Sequence, residues 1–371
     1  MKDLLTPIAL GNHQLKNRVV MGPLTRNRAQ NLQKMPTELH AEYYSQRAGA
    51  GLIVSEATYI EPLGIGFIHA PGIYTPDQIK GWRKVTKAVH QKGGVIFNQL
   101  YHAGSYSHPE LNNGHWPVSA SGINPHGRVH TESGAKPTVT PHGLHKSEID
   151  RLINQYVRAA ENGLKAEFDG VEIHGAFGYL IAQFLSPETN IRKDNYGGSL
   201  ENRSRFLLEI VEAVVKKVGA DKVGVRLSPR GMANHHPFED PERLKDFEYI
   251  VEALNKYDLA YLHLVEPFSK KGESFTRITP HFRKIYRGTL ITNGGYDQQT
   301  GNEAISSQEA DLVSFGTLFI SNPDLPKRFE LDAPLNEADQ ATMYSGGAKG
   351  FIDYPTLEET QLSFKTYNKS A

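Results

Sequence analysis

The chain has no cysteine in its 371 residues. Disulfides, thiolate metal centres and a cysteine nucleophile are therefore excluded. It also lacks an excess of either charge: 41 Lys and Arg stand against 41 Asp and Glu, a formal net charge of zero. Nucleic acid needs a clustered basic surface, so no polyanion partner is expected. No stretch approaches the ~20 consecutive apolar residues that cross a bilayer. Residues 1–7 turn polar too early for a secretory signal. There is no internal repeat and no low-complexity tract. These absences point to a soluble globular protein, expected in the cytoplasm and acting on small molecules.

What the chain does have is a rhythm. Short apolar runs at 19–21, 51–54, 95–97, 170–173, 223–227, 260–264, 289–291 and 312–315 are bounded by Gly, Asp or Pro, and most are rich in branched residues. Buried parallel strands read this way. Amphipathic stretches lie between them. Residues 201–218 put Phe206, Leu207, Ile210, Val211, Val214 and Val218 on one stripe; residues 147–164 do likewise and open on Ser147-Glu148, an expected N-cap with an acid in the first turn. Eight such alternations favour an α/β (β/α)8 TIM barrel over an open sheet. Two segments interrupt it. Residues 8–13 read as the turn of a hairpin plugging the barrel bottom. Residues 101–146, rich in Gly, Pro, Ser and His, make a connection after the third strand long enough to be functional or a small subdomain.

Strand alternation places side chains. Val223, Val225 and Leu227 should face the helices, leaving Gly224, Arg226 and Ser228 toward the axis. Glu172 and His174 share a face opposite Val171 and Ile173, and Gln99 falls with Val95 and Phe97. Gln99, His174 and Arg226 then end three consecutive strands, where barrel active sites lie. Such a trio suits a planar heterocycle with alternating donors and acceptors. The plainer alternative is a structural network with Glu172 and Arg226 as a buried ion pair. Glycines follow the last two strands, in Asn293-Gly294-Gly295 and Phe315-Gly316-Thr317, where barrels commonly bind phosphate through backbone N–H groups. A flat polar head with one phosphate points to FMN.

The run His174-Gly175-Ala176-Phe177-Gly178-Tyr179-Leu180, followed by Gln183-Phe184-Leu185-Ser186-Pro187, Asn190 through Ser199, and Glu201-Asn202-Arg203, resembles the central signature of the old yellow enzyme family. Pro23-Leu24-Thr25-Arg26, Ser55-Glu56-Ala57-Thr58 and Asp353-Tyr354-Pro355 resemble the family elsewhere. The resemblance implies one FMN-binding barrel domain over 1–371, monomeric or homodimeric. NADPH or NADH would reduce it, and an α,β-unsaturated carbonyl, quinone or nitro compound would reoxidise it. It sets Pro23, Leu24 and Thr25 against the flavin ring, with the Thr25 hydroxyl on a flavin carbonyl; a second branch has Cys there, so this chain is of the Thr type. It implies Ala57 at the pyrimidine edge, Gln99 on the flavin amide, Arg226 at the N1 side, and Gly294, Gly295 and Gly316 at the phosphate. His174 would bind the substrate oxygen and Tyr179 would donate the proton.

The chain also departs from the family. Phe177 stands where a second His or Asn donor belongs, with His69 or His102 as conceivable substitutes. Thr317 stands where Arg commonly meets the phosphate. Phe67 and Phe351 replace Tyr, and Tyr101 replaces Trp, which implies a less polar substrate pocket. A divergent flavin-binding protein with weak ene-reductase activity is the second expectation, on account of Phe177. The histidines of 101–146 lack any cysteine or a carboxylate at a telling offset, so no metal site is expected. Residues 346–350 lack the full Walker spacing and follow no strand, and are expected to form a flexible turn.

Overall fold

In the computed structural model, which describes residues 2–229, 232–233, 236–237, 241–267, 276–360 and 362, the eight apolar runs are strands. They are β1 (Val19–Met21), β2 (Leu52–Val54), β3 (Ile96–Tyr101), β4 (Gly170–Gly175), β5 (Val223–Leu227), β6 (Tyr261–Val265), β7 (Leu290–Asn293) and β8 (Leu312–Phe315). Each pairs in parallel with the next, and β8 returns to β1, so the sheet closes. This is the expected (β/α)8 barrel. A two-residue strand, Thr58–Tyr59, extends the pairing along the far half of β3.

Period-two alternation sorts the side chains. Val20, Leu52, Val54, Phe97, Tyr261 and Ile291 pack inside the barrel, while Val19, Ile53, Val223, Val225 and Leu227 pack outward among the helices. The hairpin of Ile8–Leu10 and His13–Leu15 turns at Gly11, whose φ of 52° favours glycine. Its Leu10 and Leu15 join the interior cluster and close the bottom. Burying each contributes roughly 2 kcal/mol.

The helices of the first half are α1 (Glu38–Gln46), α2 (Pro76–His90), α3 (Lys146–Lys165), α4 (Leu180–Leu185) and α5 (Leu200–Val218), and further helices, Pro241–Leu254 and Gln298–Ser306 among them, continue the alternation. The stripe expected on α5 is buried throughout. Helix α3 corrects the sequence reading, because its cap is His145 rather than Ser147. The Glu148 carboxylate accepts the His145 backbone N–H at 2.7 Å, and the Glu148 N–H donates to the His145 carbonyl at 3.0 Å. That reciprocal bonding starts the helix two residues upstream.

Residues 101–146 contain no helix beyond the first residue of α3. Val118–Ser119 and His142–Gly143 form a short parallel pair, and Arg128–Thr131 folds on Gly134–Pro137 as a hairpin. The Ser119 hydroxyl donates to Gln183 on α4 at 2.9 Å, tying this insertion to the barrel mouth. Among the described residues no helix is long and apolar enough to cross a membrane.

The inward packing is testable at Gly224, where an added Cβ would lie 2.3 Å from ring atoms of the buried Tyr261. Gly224→Ala is expected to destabilise the protein by about 1–3 kcal/mol, read as a lowered Tm by circular dichroism. An unchanged Tm would contradict the interior arrangement.

Candidate active site

The carboxyl end of β3 is fixed first. Ser55 accepts the Gln99 backbone N–H at 3.1 Å, and Asn98 donates to both Ser55 and Thr58 at 3.0 Å. The Gln99 side chain donates through Nε2 to Oε1 of Glu172 at 2.7 Å. The other Glu172 oxygen meets Nδ1 of His263 at 2.8 Å. All three are buried. Strand register explains the meeting, since Glu172 is level with Gln99, and Arg226 lies between His174 and His263. Burial alone would raise the Glu172 pKa, but His263, Arg226 and Gln99 hold it below the usual carboxylate range. Arg226 extends the network to β7, donating through Nη2 to Asn293 at 2.7 Å, and Asn293 donates to the Ser314 carbonyl on β8 at 2.8 Å. Among the described residues the buried Nε of Arg226 has no hydrogen-bond partner. The structural network expected as the plainer alternative is present, but Glu172 and Arg226 do not pair directly within it: Glu172 bonds Gln99 and His263, and Arg226 bonds Asn293.

His174 sits at the end of β4, 5% exposed. The Ala176 backbone N–H donates to its Nδ1 at 3.2 Å, so the proton of the neutral ring is on Nε2. Burial, reinforced by Arg226, pushes its pKa down to about 3. At neutral pH His174 is therefore an uncharged hydrogen-bond donor. Tyr179 stands 5.3 Å from it ring to ring, nearly perpendicular. Burial pushes the Tyr179 pKa up to about 12, with the neighbouring Tyr101 hydroxyl pulling the other way. Tyr179 keeps its proton. Tyr101 lies 4.7 Å from Tyr179, and Phe67 lies 5.7 Å from Tyr101. The structure thus gathers His174, Tyr179, Tyr101 and Phe67 into one aromatic cluster.

Phe177 joins it 5.9 Å from His174, with its ring facing the Arg226 guanidinium at 5.2 Å. Its backbone is left-handed, with φ of 58°, and its N–H donates to Ser228 at 3.0 Å. A bulky side chain in that region carries strain of order 1–3 kcal/mol. Both histidines considered as substitute donors have other partners. Both ring nitrogens of His102 are engaged, by Glu61 at 3.3 Å and the Gly104 N–H at 3.0 Å, and His69 lies against Glu132.

The opposite wall is half-exposed Pro23, Leu24 and Thr25. Glu56 holds this segment by accepting the Arg26 N–H at 3.2 Å, and buried Ala57 follows directly. Gly316 approaches Leu24 closely enough that an added Cβ would touch it at 3.6 Å. Gly294 and Gly295 have φ of 120° and 65°, which glycine adopts freely. Thr317 is exposed at the start of a short helix, Thr317–Ser321.

Phe351 is a correction. It is wholly buried, stacked on Tyr43 at 4.0 Å with Arg26 and Arg28 over its ring, so it packs the wall behind Pro23–Arg26 and offers no surface to a substrate. The segment 346–350 is also more than a flexible turn, since Arg26 donates to the Gly350 carbonyl at 2.7 Å. Sequence reasoning missed His263 and Asn293. The alternation used on β5 would have turned His263 inward on β6, and Asn293 directly precedes the left-handed Gly294 and Gly295.

A family model described as NADH:flavin oxidoreductase / NADH oxidase matches residues 3–336. The chain is 45% identical to putative 12-oxophytodienoate reductase 11 of Oryza sativa subsp. japonica, covering 95% of this chain and 97% of that one. Among solved structures it is similar to morphinone reductase, with a TM-score of 0.92, 42% identity and 97% of each chain covered. It is also similar to the old yellow enzyme homologue from Zymomonas mobilis, with a TM-score of 0.91 and 42% identity over 96% of this chain and 100% of that one.

The protonation state of His174 can be read directly. Its ¹⁵N imidazole shifts are expected to stay those of a neutral, Nε2-protonated ring from pH 8 down to pH 5, because its pKa lies at about 3, whereas an exposed histidine titrates near 6.5. A titration midpoint near 6.5 would overturn this reading.

Proposed function

The chain belongs to the NADH:flavin oxidoreductase / NADH oxidase family, that of the old yellow enzymes, and on that premise we propose how it reduces activated alkenes. It is an NAD(P)H-dependent FMN oxidoreductase. The observation that carries the proposal is a neutral His174 with Nε2–H free to donate, set beside a Tyr179 that keeps its proton. The substrate class is α,β-unsaturated carbonyls, with quinones and nitro compounds as chemical equivalents. Relatives bear the names 12-oxophytodienoate reductase and morphinone reductase.

The residues fit FMN. The buried Arg226 Nε, unpartnered among the described residues, and the Gln99 amide suit the polar edge of an isoalloxazine, and the left-handed Gly294 and Gly295 with Gly316 suit its phosphate. Pro23, Leu24 and Thr25 would lie along the ring, Thr25 offering its hydroxyl, with Ala57 at the pyrimidine side. Exposed Thr317 would meet the phosphate with a hydroxyl in place of the family's guanidinium, a contact weaker by roughly 1–2 kcal/mol. The whole of 1–371 serves as one FMN-binding unit roofed by 101–146. When bound, FMN supplies the hydride, received from the nicotinamide and delivered to the β carbon of the alkene.

The side chains do the rest. His174 donates from Nε2 to the carbonyl or nitro oxygen, where negative charge develops, and its neutrality lets it do so without giving up the proton. Tyr179 transfers its phenolic proton to the α carbon and is reprotonated from water. Phe67 and Phe177 exclude water and prefer an apolar substrate body; Tyr101, expected from the sequence to line the pocket, is wholly buried and packs behind Phe67 and Tyr179 instead. Phe177 offers no donor, and the absence of one oxyanion donor costs about 100- to 1000-fold in rate. That deficit favours a second reading, a flavin-binding protein whose enone turnover is slow.

Stopped-flow separates the two readings. Bleaching of the flavin absorbance by NADPH, then reoxidation by 2-cyclohexenone, supports the enzyme; reoxidation by oxygen alone supports the second reading. Tyr179→Phe is expected to slow reoxidation by the enone about 10²- to 10⁴-fold with bleaching unchanged. Phe177→Asn, which restores a donor and tolerates the left-handed backbone, is expected to speed it, by up to about 100-fold. Parent-like reoxidation in Tyr179→Phe would remove Tyr179 from the mechanism.

A further inference from the structure

Away from the barrel mouth, the insertion and α3 bring together three metal-ligating side chains. His142, His145 and Glu148 each present a ligand atom, all within 4.8 Å of one another. His142 Nε2 already lies 2.8 Å from a Glu148 oxygen, and the two imidazole rings are 5.2 Å apart. The spacing is i, i+3, i+6, across the boundary between a strand and a helix, which is why no helical or Walker-like pattern reveals it.

The backbone under these side chains is held rigid. His142 and Gly143 pair with Val118 and Ser119, and the Leu144 N–H donates to the Ser119 carbonyl at 3.0 Å. The Leu144 carbonyl accepts from Arg192, His145 caps the helix, and Ile149 one residue beyond Glu148 is fully buried. Only the side-chain ends, exposed at His142 and His145 and half-buried at Glu148, need to move to close on an ion. Zinc takes imidazole nitrogen at roughly 2.0–2.1 Å and carboxylate oxygen at roughly 2.0–2.2 Å.

We propose that His142, His145 and Glu148 form a site for a late first-row divalent ion of the Zn²⁺ class, clasping the insertion to the first turn of α3. Two imidazoles and one carboxylate select such ions over Mg²⁺ and Ca²⁺, which prefer all-oxygen shells. Water completes the coordination, on the side where His142, Glu148, His115 and Trp116 line a surface cavity of about 800 Å³. The clasp also reaches the site already described. The strand paired with His142–Gly143 carries Ser119, which donates to Gln183, and Gln183 donates to the Gly178 carbonyl at 2.7 Å, next to Tyr179. An ion at the base of that chain braces the roof over the aromatic cluster. The proposal stands on these residues alone and is independent of the flavin reading.

The test is calorimetric titration of ZnCl₂ into the tag-free, chelator-washed holoprotein, with thermal unfolding in parallel. One saturable Zn²⁺ per chain is expected, with a raised Tm and no competition from Mg²⁺ in excess. Glu148→Gln, which keeps an acceptor for the helix cap, is expected to weaken binding by at least about tenfold, and the exposed pair His142→Ala with His145→Ala to abolish it together with the Tm shift. No saturable binding, or undiminished affinity in these variants, would overturn the site.

Discussion

Glu172 carries its charge inside the barrel out of reach of water, and both of its oxygens are taken: one by the Gln99 amide, the other by the His263 imidazole. An isolated carboxylate there would be costly by several kcal/mol. The same low dielectric makes its partners expensive to displace, so the arrangement is self-enforcing. Its consequences run outward. Because Nε2 of Gln99 is donated to Glu172, the orientation of that amide is decided by the protein before any ligand arrives. Arg226, held between His174 and His263 and drawn toward Asn293, keeps a buried Nε–H that no described residue accepts. Three strands thereby present a preset polar edge.

On the other side of His174 the environment divides labour between two groups that both ionise. Burial makes the imidazole harder to charge and the phenol harder to discharge, so at neutral pH each is held as an uncharged donor. On the proposed function, one stabilises an oxygen and the other surrenders a proton. Phe177 interrupts this economy of donors with a strained backbone and an apolar ring that shields Arg226. The strain marks the position as one where a small polar residue would sit more easily.

Much of this was legible in the residues themselves. Buried parallel strands are short, branched and sharply bounded, so all eight could be found, and period two correctly turned Gln99, His174 and Arg226 inward. The reading faltered where a local pattern competes with a distant contact. Ser147 has the chemistry of a cap, yet the Glu148 carboxylate bonds His145 and moves the helix start. Phe351 is aromatic in a loop, and only the approach of Tyr43 and two arginines from elsewhere buries it. His263 was within reach of the alternation rule, but it acquires meaning only beside Glu172, 91 residues earlier. Glu148 joins His142 and His145 for a similar reason: a strand and a helix meet there at an angle that no single periodicity encodes.

If the charge of Glu172 is what presets the flavin-binding edge, removing that charge while keeping its shape should loosen the cofactor. Fluorescence titration of FMN into apoprotein of Glu172→Gln measures this directly, with circular dichroism confirming that the barrel is folded. A rise in Kd of at least tenfold, about 1.4 kcal/mol, is the predicted result. An affinity equal to that of the parent would contradict the account.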